Sequence, residues 1–349
     1  MPIWNQLFND VGIDLGTANS LVYVRGRGLV INEPSVAAMN AKTNQILAVG
    51  EEAKKMMGRT PPHITVVRPL TNGVISDFEM TRELLRQFLK NLKSSKLSLW
   101  GYRRGIIAIP NSLTEVERKS VEDAARGAGC AKVYLIESPV AAALGANLPI
   151  ESPTASLIVD IGGGTTDIAV ISMGGSVVSK TLKIAGDKFN DDIIRFVRDE
   201  FKLIIGESTA ELAKIAVGSA IPLDERLEVE IRGRDLHTGL PKEIVIKNGH
   251  IRAALSRSIR IITDAIRAVI ELTPPELAGD MLKQGIYLCG GGALLRGLDK
   301  LVEKETMVST EVSEDPLICV ARGLGMVVDN FERHKYLLDN PLKPLEINL

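Results

Sequence analysis

Two short segments of similar sequence place the strongest constraint on the fold of this chain. Asp160-Ile-Gly-Gly-Gly-Thr-Thr-Asp167 lies between two apolar runs, and Asp14-Leu-Gly16 begins a segment of the same kind near the start of the chain. Short apolar runs bounded by glycine are typical of buried strands, so each segment predicts a strand, a turn and a second strand. Two such units about a domain apart predict an internally duplicated architecture.

The glycine-rich turns suggest a phosphate site. Consecutive glycines offer backbone N–H groups without side chains, which permits close approach to phosphate. An Asp near the end of each first strand could face a cation bound to that phosphate. For Asp160–Asp167 alone, a plain hairpin turn is the alternative interpretation. Neither segment is a Walker A loop or a GxGxxG motif, because a strand and not a helix follows the glycines.

Composition limits the class of protein. The 349 residues are 45% hydrophobic, which is enough for a sizeable core divided between two domains. The 42 basic and 43 acidic side chains give a net charge of -1, so nothing favours nucleic acid as the main partner. Three scattered cysteines and the lack of a signal peptide or a spanning apolar run predict a cytoplasmic location, with the membrane surface still open.

Several motifs resemble those of one family. The chain resembles the actin, heat-shock chaperone and sugar-kinase ATPase superfamily, and within it the MreB family of bacterial actins. The resemblance runs from about residue 11 to residue 328. It rests on Asp14-Leu-Gly-Thr-Ala-Asn19, Asn32-Glu-Pro-Ser-Val36, Val49-Gly-Glu51, Gly58-Arg-Thr-Pro61, Arg68-Pro69, Asp77-Phe78, Asp160-Ile-Gly-Gly-Gly-Thr-Thr-Asp167 and Gly290-Gly-Gly-Ala-Leu-Leu295.

The resemblance implies an actin-like (ribonuclease H-like) α/β fold with two duplicated domains and a nucleotide cleft between them. Domain I would comprise residues 1–145 and 316–349, with a small subdomain at about 26–75. Domain II would comprise residues 146–315, with a small subdomain at about 186–249.

The resemblance also implies which residues hold ATP or ADP and Mg²⁺. Asp14 and Asp160 would face the Mg²⁺ ion, through waters. The β- and γ-phosphates would bind the first loop (Gly16, Thr17, Ala18 and Asn19) and the second loop (Gly162, Gly163, Gly164 and Thr165). The remaining nucleotide contacts would come from Gly186, Asp187, Glu207, Ser208, Thr209, Ala210, Glu211, Lys214, Gly290, Gly291, Gly292, Ala293 and Leu294.

Part of this adenosine site has a purely structural alternative. Ser208 and Glu211 have the spacing of a helix capping box, and Glu211 and Lys214 have that of an i,i+3 ion pair. These two interactions would explain all three residues without a ligand. Ala293, after the three glycines, is predicted to begin a helix.

At one position the chain departs from its family. The family carries Glu immediately before the proline that is Pro139 here, and that carboxylate orients or activates the attacking water. This chain has Ser138, and Glu137, one position earlier, should point in another direction. A hydroxyl is a poor general base, so the sequence predicts weak ATPase activity with binding retained. The alternative is that Glu137 or Thr165 supplies the function by a shifted geometry.

Two apolar segments are candidates for membrane contact. Ile3, Trp4, Leu7 and Phe8 would share one face of a short terminal helix. Leu97, Leu99 and Trp100 lie in a stretch with basic residues on both sides, which suits an anionic lipid surface. Packing of either segment on its own domain is the alternative. MreB relatives carry a membrane-contacting loop at the second position.

The resemblance implies a protein that self-associates into filaments on the inner face of the cell membrane, maintains rod shape and organises cell-wall synthesis. Its further partners would be other MreB paralogues and cell-wall synthesis proteins. The alternatives are a small-molecule kinase of the same fold, a chaperone-like ATPase, or a non-hydrolysing paralogue. No motif supplies a kinase base, and no peptide-binding domain follows the ATPase region.

Overall fold

The structure is a computed structural model that describes residues 10–43, 45–92 and 101–338. Residues 339–349 of the predicted domain I lie outside these ranges. So do the residues predicted to contact the membrane, Ile3, Trp4, Leu7, Phe8, Leu97, Leu99 and Trp100.

Strands and helices alternate along the chain. The strands of the first half are β1 (Asp10–Leu15), β2 (Asn19–Val24), β3 (Gly28–Pro34), β4 (Ala37–Asn40), β5 (Ile46–Val49), β6 (Ile64–Val67), β7 (Leu70–Thr71), β8 (Val74–Ile75), β9 (Tyr102–Ile109) and β10 (Cys130–Glu137). Those of the second half are β11 (Ser156–Ile161), β12 (Thr166–Ser172), β13 (Gly175–Leu182), β14 (Leu203–Ile204), β15 (Glu228–Asp235), β16 (Pro241–Lys247), β17 (Ile286–Cys289) and β18 (Thr310–Val312).

The helices connect and cover these strands. They are α1 (Glu51–Met56), α2 (Phe78–Asn91), α3 (Glu115–Ala128), α4 (Ser138–Gly145), α5 (Gly186–Phe201), α6 (Glu207–Val217), α7 (Asn248–Leu272), α8 (Pro275–Gln284), α9 (Leu298–Thr306), α10 (Cys319–Asp329) and α11 (Phe331–His334). No helix in the described ranges is long and apolar enough to cross a bilayer.

Two five-stranded sheets share one topology. The first has the order β3-β2-β1-β9-β10 and the second the order β13-β12-β11-β17-β18. In each sheet the first three strands form an antiparallel meander, and two later strands add in parallel on the other side. The predicted duplication is therefore confirmed, and the two glycine turns occupy the same place in the two sheets, β1–β2 and β11–β12.

Smaller sheets extend each half. β5-β4-β6 forms a three-stranded sheet in the first half and β14-β15-β16 forms one in the second. Both lie within the predicted small subdomains, whereas β3, which was also assigned there, belongs to the first large sheet. The residue bounds of the domains stay a prediction.

Two helices lie between the large sheets and fix how their turns face each other. Ile106 of β9 and Ile158 of β11 share one buried cluster with Val140 of α4 and Leu324 of α10. Both faces of β11 and β12 are covered, and these strands are buried along almost their whole length. The two halves are thus packed on a common core beneath the glycine turns.

Local sequence signals account for the helices that frame this core. Thr114 and Glu117 form a capping box at the start of α3, with Glu117 N donating to Thr114 Oγ1 at 3.3 Å. The apolar stripe of α7 is buried, from Leu255 through Ile262 to Val269. Thr273 and the prolines after it end that helix, because proline cannot donate the next backbone hydrogen bond.

Candidate functional site

The structure brings the two glycine turns into direct contact. A methyl group added at Gly163 would lie 2.6 Å from Ala18 Cβ, and one added at Gly164 would lie 2.5 Å from Thr17 Oγ1. Such distances leave no room for a side chain, so glycine is required by the close approach of the two backbones. The first loop (residues 16–19) and the second loop (residues 162–165) therefore form one concave surface between the halves.

Both loops use their carbonyl oxygens and leave N–H groups unpaired. In the first loop, Gly16 O accepts from Ser35 Oγ at 2.6 Å and Ala18 O from Ser35 N at 2.9 Å. In the second, Gly162 O accepts from Gly186 N at 3.1 Å and Gly163 O from Asp187 N at 2.8 Å.

Most backbone N–H groups of the loops have no such partner, although Gly162 N donates to Thr165 O at 2.9 Å. Within the described residues, the N–H groups of Thr17 and Ala18, and those of Gly163, Gly164 and Thr165, have no acceptor. Such groups cluster where a backbone binds an anion, so the loops have the chemistry of a phosphate site. Asn19 begins β2, and its side-chain Nδ2 donates to Asn32 Oδ1 at 3.3 Å.

Asp14 and Asp160 stand at equivalent places, one residue before the end of β1 and of β11. Burial raises the pKa of Asp14 to about 7. Burial, followed by the charges of Asp167 and Asp14, raises the pKa of Asp160 to about 8. Two half-buried carboxylates that repel each other fit a divalent cation, which would favour their charged forms.

Two carboxylates alone do not complete a metal site. Within the described ranges no group of three or more His, Cys, Asp or Glu side chains could hold a metal ion. A Mg²⁺ ion at Asp14 and Asp160 would therefore take its other ligands from phosphate oxygens and water, as Mg²⁺ commonly does.

A polar row crosses the second sheet beneath the loop. Cys289, Asp160, Asp167 and Thr181 lie side by side on β17, β11, β12 and β13. Asp167 accepts from Thr165 Oγ1 at 3.1 Å and from Thr181 Oγ1 at 2.5 Å. The hydroxyl of Thr165 is thus oriented by a buried carboxylate.

Ser138 is the first residue of α4 and is largely buried. Its hydroxyl makes no hydrogen bond to any described residue. Glu137, the last residue of β10, accepts from Ser176 Oγ at 2.5 Å and lines a cavity of about 290 Å³ together with Arg118. Glu137 is thus hydrogen-bonded to β13 and makes no bond to Thr165.

The structure of helix α6 shows that the capping box predicted for Ser208 and Glu211 is wrong. Its N-cap is Gly206, and Ser208 lies within the first turn, so Ser208 and Glu211 do not form a capping box. Thr209 and Ala210 continue the same turn, and both of their N–H groups donate to Gly206 O at 3.1 Å. The sequence signal was ambiguous because a capping-box spacing also occurs one turn inside a helix.

Glu211 and Lys214 do not pair with each other as predicted, and each contacts other residues. Lys214 Nζ donates to Gly186 O at 3.1 Å and to Asn190 Oδ1 at 2.8 Å, while Glu211 pairs with Lys54 Nζ at 3.3 Å. Burial lowers the pKa of Lys214. Lys214 therefore points from α6 toward the start of α5, which adjoins the second loop.

Ion pairs that were not predicted from the sequence cross the cleft. Arg68 Nη1 lies 3.1 Å from Asp187 Oδ1, and Arg68 Nη2 lies 2.5 Å from Glu207 Oε1. Together with Lys54–Glu211, these pairs join the first half to α5 and α6. The signal was the motif Arg68-Pro69, but a sequence does not show which acidic residue a distant arginine meets.

The third glycine motif packs on the second sheet. A methyl group at Gly290 would overlap Asp160 Oδ1, and one at Gly292 would overlap Ile161 Cγ2. Gly291 to Leu294 form a 3-10 helix, so the helix predicted to begin at Ala293 is wrong, and α9 begins at Leu298. Ala293 is buried and Leu294 is 54% exposed, which leaves Leu294 available at the surface.

Comparisons with known proteins match this architecture over nearly the whole chain. Residues 8–336 match the MreB/Mbl protein family. Cell shape-determining protein Mbl of Bacillus subtilis (strain 168) is 47% identical over 324 residues, covering 93% of this chain and 97% of the relative. Cell shape-determining protein MreB of Escherichia coli (strain K12) is 46% identical over 330 residues, covering 93% and 95%.

A solved structure agrees with the fold. The crystal structure of MreB 5 of Spiroplasma citri bound to AMPPNP superposes with a TM-score of 0.89 at 40% identity, covering 94% of this chain and 98% of that one. The same protein bound to ADP gives the same values. The expected actin-like, duplicated α/β fold is therefore confirmed, and the chain belongs to the MreB/Mbl family.

Proposed function

We propose that this chain binds ATP with Mg²⁺ in the cleft between its two halves. The observation that carries the proposal is that the carbonyl oxygens of Gly16, Ala18, Gly162 and Gly163 accept hydrogen bonds, while five N–H groups of the two loops have no acceptor. Phosphate is the ligand that such a double cradle suits best. The relative from Spiroplasma citri, 40% identical, is bound to AMPPNP in one structure and to ADP in another.

The site residues take the following roles in this proposal. Asp14 and Asp160 would face the Mg²⁺ ion, which would neutralise the charge between the phosphates and these carboxylates. Thr17, Ala18 and the second loop would bind the phosphate oxygens. Adenosine would lie between α6, where Glu211 and Lys214 project, and the 3-10 helix that ends at Leu294.

The chain would assemble into filaments and determine cell shape. Its relatives from Bacillus subtilis and Escherichia coli are named cell shape-determining proteins, which supports the second part. We place these filaments in the cytoplasm on the inner face of the membrane, where they would organise cell-wall synthesis. The apolar residues near positions 3–8 and 97–100 would contact anionic lipid. Many weak anchors on one filament would act together through avidity.

Hydrolysis would be slow in this chain. Ser138 occupies the position at which the family carries a water-orienting Glu, and Glu137 is hydrogen-bonded to Ser176. A second candidate function follows from this observation, namely a non-hydrolysing paralogue that co-polymerises with an active one. Both candidate functions include nucleotide binding, and they differ only in whether ATP is hydrolysed.

Calorimetric titration tests the binding proposal. AMPPNP and ADP, each with Mg²⁺, would be titrated into the wild type and into Gly163→Ala. The added methyl would lie 2.6 Å from Ala18 Cβ and part the two loops, so both nucleotides should bind much more weakly. Gly249→Ala, which has open space around the added methyl, is the control. A wild type that binds neither nucleotide would overturn the proposal.

Sedimentation tests the filament proposal. The wild type would be pelleted with and without AMPPNP and with and without vesicles containing anionic lipid. Nucleotide should increase the pelleted fraction, and vesicles should increase it further. If neither changes sedimentation, the chain is not a membrane-associated filament protein. Phosphate transfer to a sugar would instead favour the kinase alternative.

A further inference from the structure

Asp167 is a buried carboxylate that holds the side chains of two threonines. It lies on β12, directly across from Asp160 on β11 and from Thr181 on β13. Its Oδ2 atom accepts from Thr165 Oγ1 at 3.1 Å, and its Oδ1 atom accepts from Thr181 Oγ1 at 2.5 Å. Each carboxylate oxygen therefore has its own hydroxyl donor.

The carboxyl group of Asp167 is an acceptor on both oxygens. Burial raises the pKa of Asp167 to about 6, and the hydrogen bonds from Thr181 and Thr165 oppose that rise. The group is therefore ionised at neutral pH and has no proton to donate. Each threonine hydroxyl must then give its single hydrogen to Asp167.

The hydroxyl of Thr165 is thereby limited to one role toward the cleft. A threonine hydroxyl has one hydrogen and two lone pairs. Since Asp167 takes the hydrogen, the oxygen of Thr165 can only accept a hydrogen bond from a group between the loops. An ionised phosphate oxygen has no hydrogen to offer, whereas a water molecule has two. The Thr165 oxygen is therefore suited to water and not to phosphate.

Thr17, in the first loop, has the opposite arrangement. Thr17 Oγ1 accepts from Gly73 N at 3.0 Å, and its own hydrogen has no acceptor within the described residues. That hydroxyl is free to donate to a phosphate oxygen. The two loops thus present one threonine hydroxyl as a donor and the other as an acceptor.

The side chain of Thr165 is also held from its other side. A methyl group added at Gly73, in the turn between β7 and β8, would lie 2.9 Å from Thr165 Cγ2 and 3.7 Å from Thr165 Oγ1. The methyl group of Thr165 thus packs against this turn while its hydroxyl is bound to Asp167. Because threonine is stiff at χ1, these two contacts fix the direction of the Thr165 oxygen.

The geometry points to Asp167 and Thr181 as positioning residues for hydrolysis. They hold the Thr165 hydroxyl so that its oxygen accepts a hydrogen bond from the water that attacks the terminal phosphate. This inference rests on the proposed function, because it needs ATP in the cleft. Since Ser138 brings no carboxylate to this water, its orientation depends on Thr165.

Thr165 orients the water and does not deprotonate it, because a hydroxyl is a poor base. The water oxygen forms a bond to the terminal phosphorus, and the bond from that phosphorus to the bridging oxygen breaks with its electron pair on ADP. Both water protons leave with the released phosphate. Asp167 and Thr181 therefore act on the position of the water, which affects the rate and not the affinity for ATP.

Two fluoride complexes of ADP separate this role from a structural one. Beryllium fluoride mimics the terminal phosphate of bound ATP, whereas aluminium fluoride mimics the transition state and holds a water at the position of attack. Both complexes, with Mg²⁺, would be titrated into the wild type, Asp167→Ala and Thr181→Val. The affinity for the aluminium fluoride complex should fall about tenfold in Asp167→Ala and about threefold in Thr181→Val, with the affinity for the beryllium fluoride complex retained.

Two further variants are the controls. Thr181→Ser keeps the hydroxyl and should bind both complexes like the wild type. Thr65→Val removes an exposed hydroxyl of β6 that makes no hydrogen bond to any residue described by the structure, so it should also bind like the wild type. Thr181→Val covers the case in which Asp167→Ala does not fold, because Thr181 is only half-buried.

The outcomes that overturn the inference concern the difference between the two complexes. Equal losses for both complexes, or no loss for either, overturn it, as does a Thr181→Ser variant that behaves like Thr181→Val. A wild type that gains no affinity for ADP from aluminium fluoride also overturns it. A wild type that binds neither AMPPNP nor ADP overturns the proposed function as well, so the two failures are distinguishable.

Discussion

Gly145 of α4 and Gly323 of α10 bring two helices into backbone contact between the large sheets. A methyl group at Gly145 would overlap the carbonyl oxygen of Cys319, and one at Gly323 would overlap that of Ala141. Since α4 begins at Ser138 and shares its core with both sheets, this crossing sets the distance between the two halves.

Gly145→Ala should destabilise the protein by about 3 kcal/mol, because the overlapping atoms belong to a backbone that cannot rotate away. Chemical denaturation gives the free energy of unfolding. Gly279→Ala is the control, since Gly279 lies in α8 with open space around it. That change should stabilise the helix by ~1 kcal/mol. Equal effects in the two variants would show that the crossing is not tightly packed.

Ser138→Glu should raise the rate of phosphate release about 100-fold, because it restores a carboxylate able to orient or deprotonate water. A steady-state phosphate-release assay measures the change. Ser138→Ala should leave the rate unchanged, and AMPPNP affinity should be the same in all three proteins. An unchanged rate in Ser138→Glu would mean that the missing carboxylate is not what limits turnover.

Asp10→Asn should destabilise the protein by about 3 kcal/mol. Asp10 is buried and lies 2.8 Å from Arg104 Nη2, while the Arg104 guanidinium stacks 3.7 Å from the centre of the Phe331 ring. Removing the carboxylate leaves the buried Arg104 cation with the exposed Glu332, 3.7 Å away, in place of its buried partner.

The control for Asp10→Asn is an ion pair at the surface. Glu243→Gln breaks the exposed pair with Arg232 on the β15–β16 hairpin, which solvent screens. Its denaturation midpoint should match that of the wild type. If both variants unfold like the wild type, burial of Asp10 does not matter to stability.

His334 should make stability depend on pH. The side chain is buried and its Nδ1 atom has no hydrogen-bond partner. Burial, followed by the charge of Arg333, lowers the pKa of His334. The folded state therefore binds fewer protons than the unfolded state, so the stabilisation is present above about pH 6.5 and is lost as the pH falls.

Thermal unfolding between pH 7.5 and 5.5 checks this dependence. The wild-type midpoint should fall with pH, and His334→Gln should flatten the curve. His237→Gln, which changes an exposed histidine, should keep the wild-type curve. A wild type with the same slope as His334→Gln would contradict the role of His334.

Sequence patterns were sufficient to predict structural features that are local or repeated. The strand–turn–strand units at Asp14 and Asp160 predicted the duplicated sheets, because glycine and apolar periodicity act within a few residues. The capping box of Thr114 and Glu117 is likewise a local pattern, set by a spacing of three residues. The glycines of the two loops also lie together as expected, although their contact with ligand stays a prediction.

The features that sequence missed depend on distant segments. Arg68 bridges Asp187 and Glu207, more than 100 residues further along the chain, and no spacing rule connects them. Glu211 and Lys214 were expected to pair with each other, but tertiary packing gives each a different partner. The β7–β8 turn at Gly73 was overlooked because its contacts with Thr17 and Thr165 join residues that are far apart in the sequence.

The hydrogen bonds that occupy the carbonyl oxygens of Gly16, Ala18, Gly162 and Gly163 have a consequence for selectivity. Because these acceptors are occupied, the backbones of the two loops present N–H donors toward the cleft and favour an anion, whereas a cation there would depend on the carboxylates of Asp14 and Asp160. The main chain and the side chains are thus suited to ligands of opposite charge. The donors that occupy these carbonyl oxygens lie outside the two loops. They are Ser35 and the backbone amides of Gly186 and Asp187.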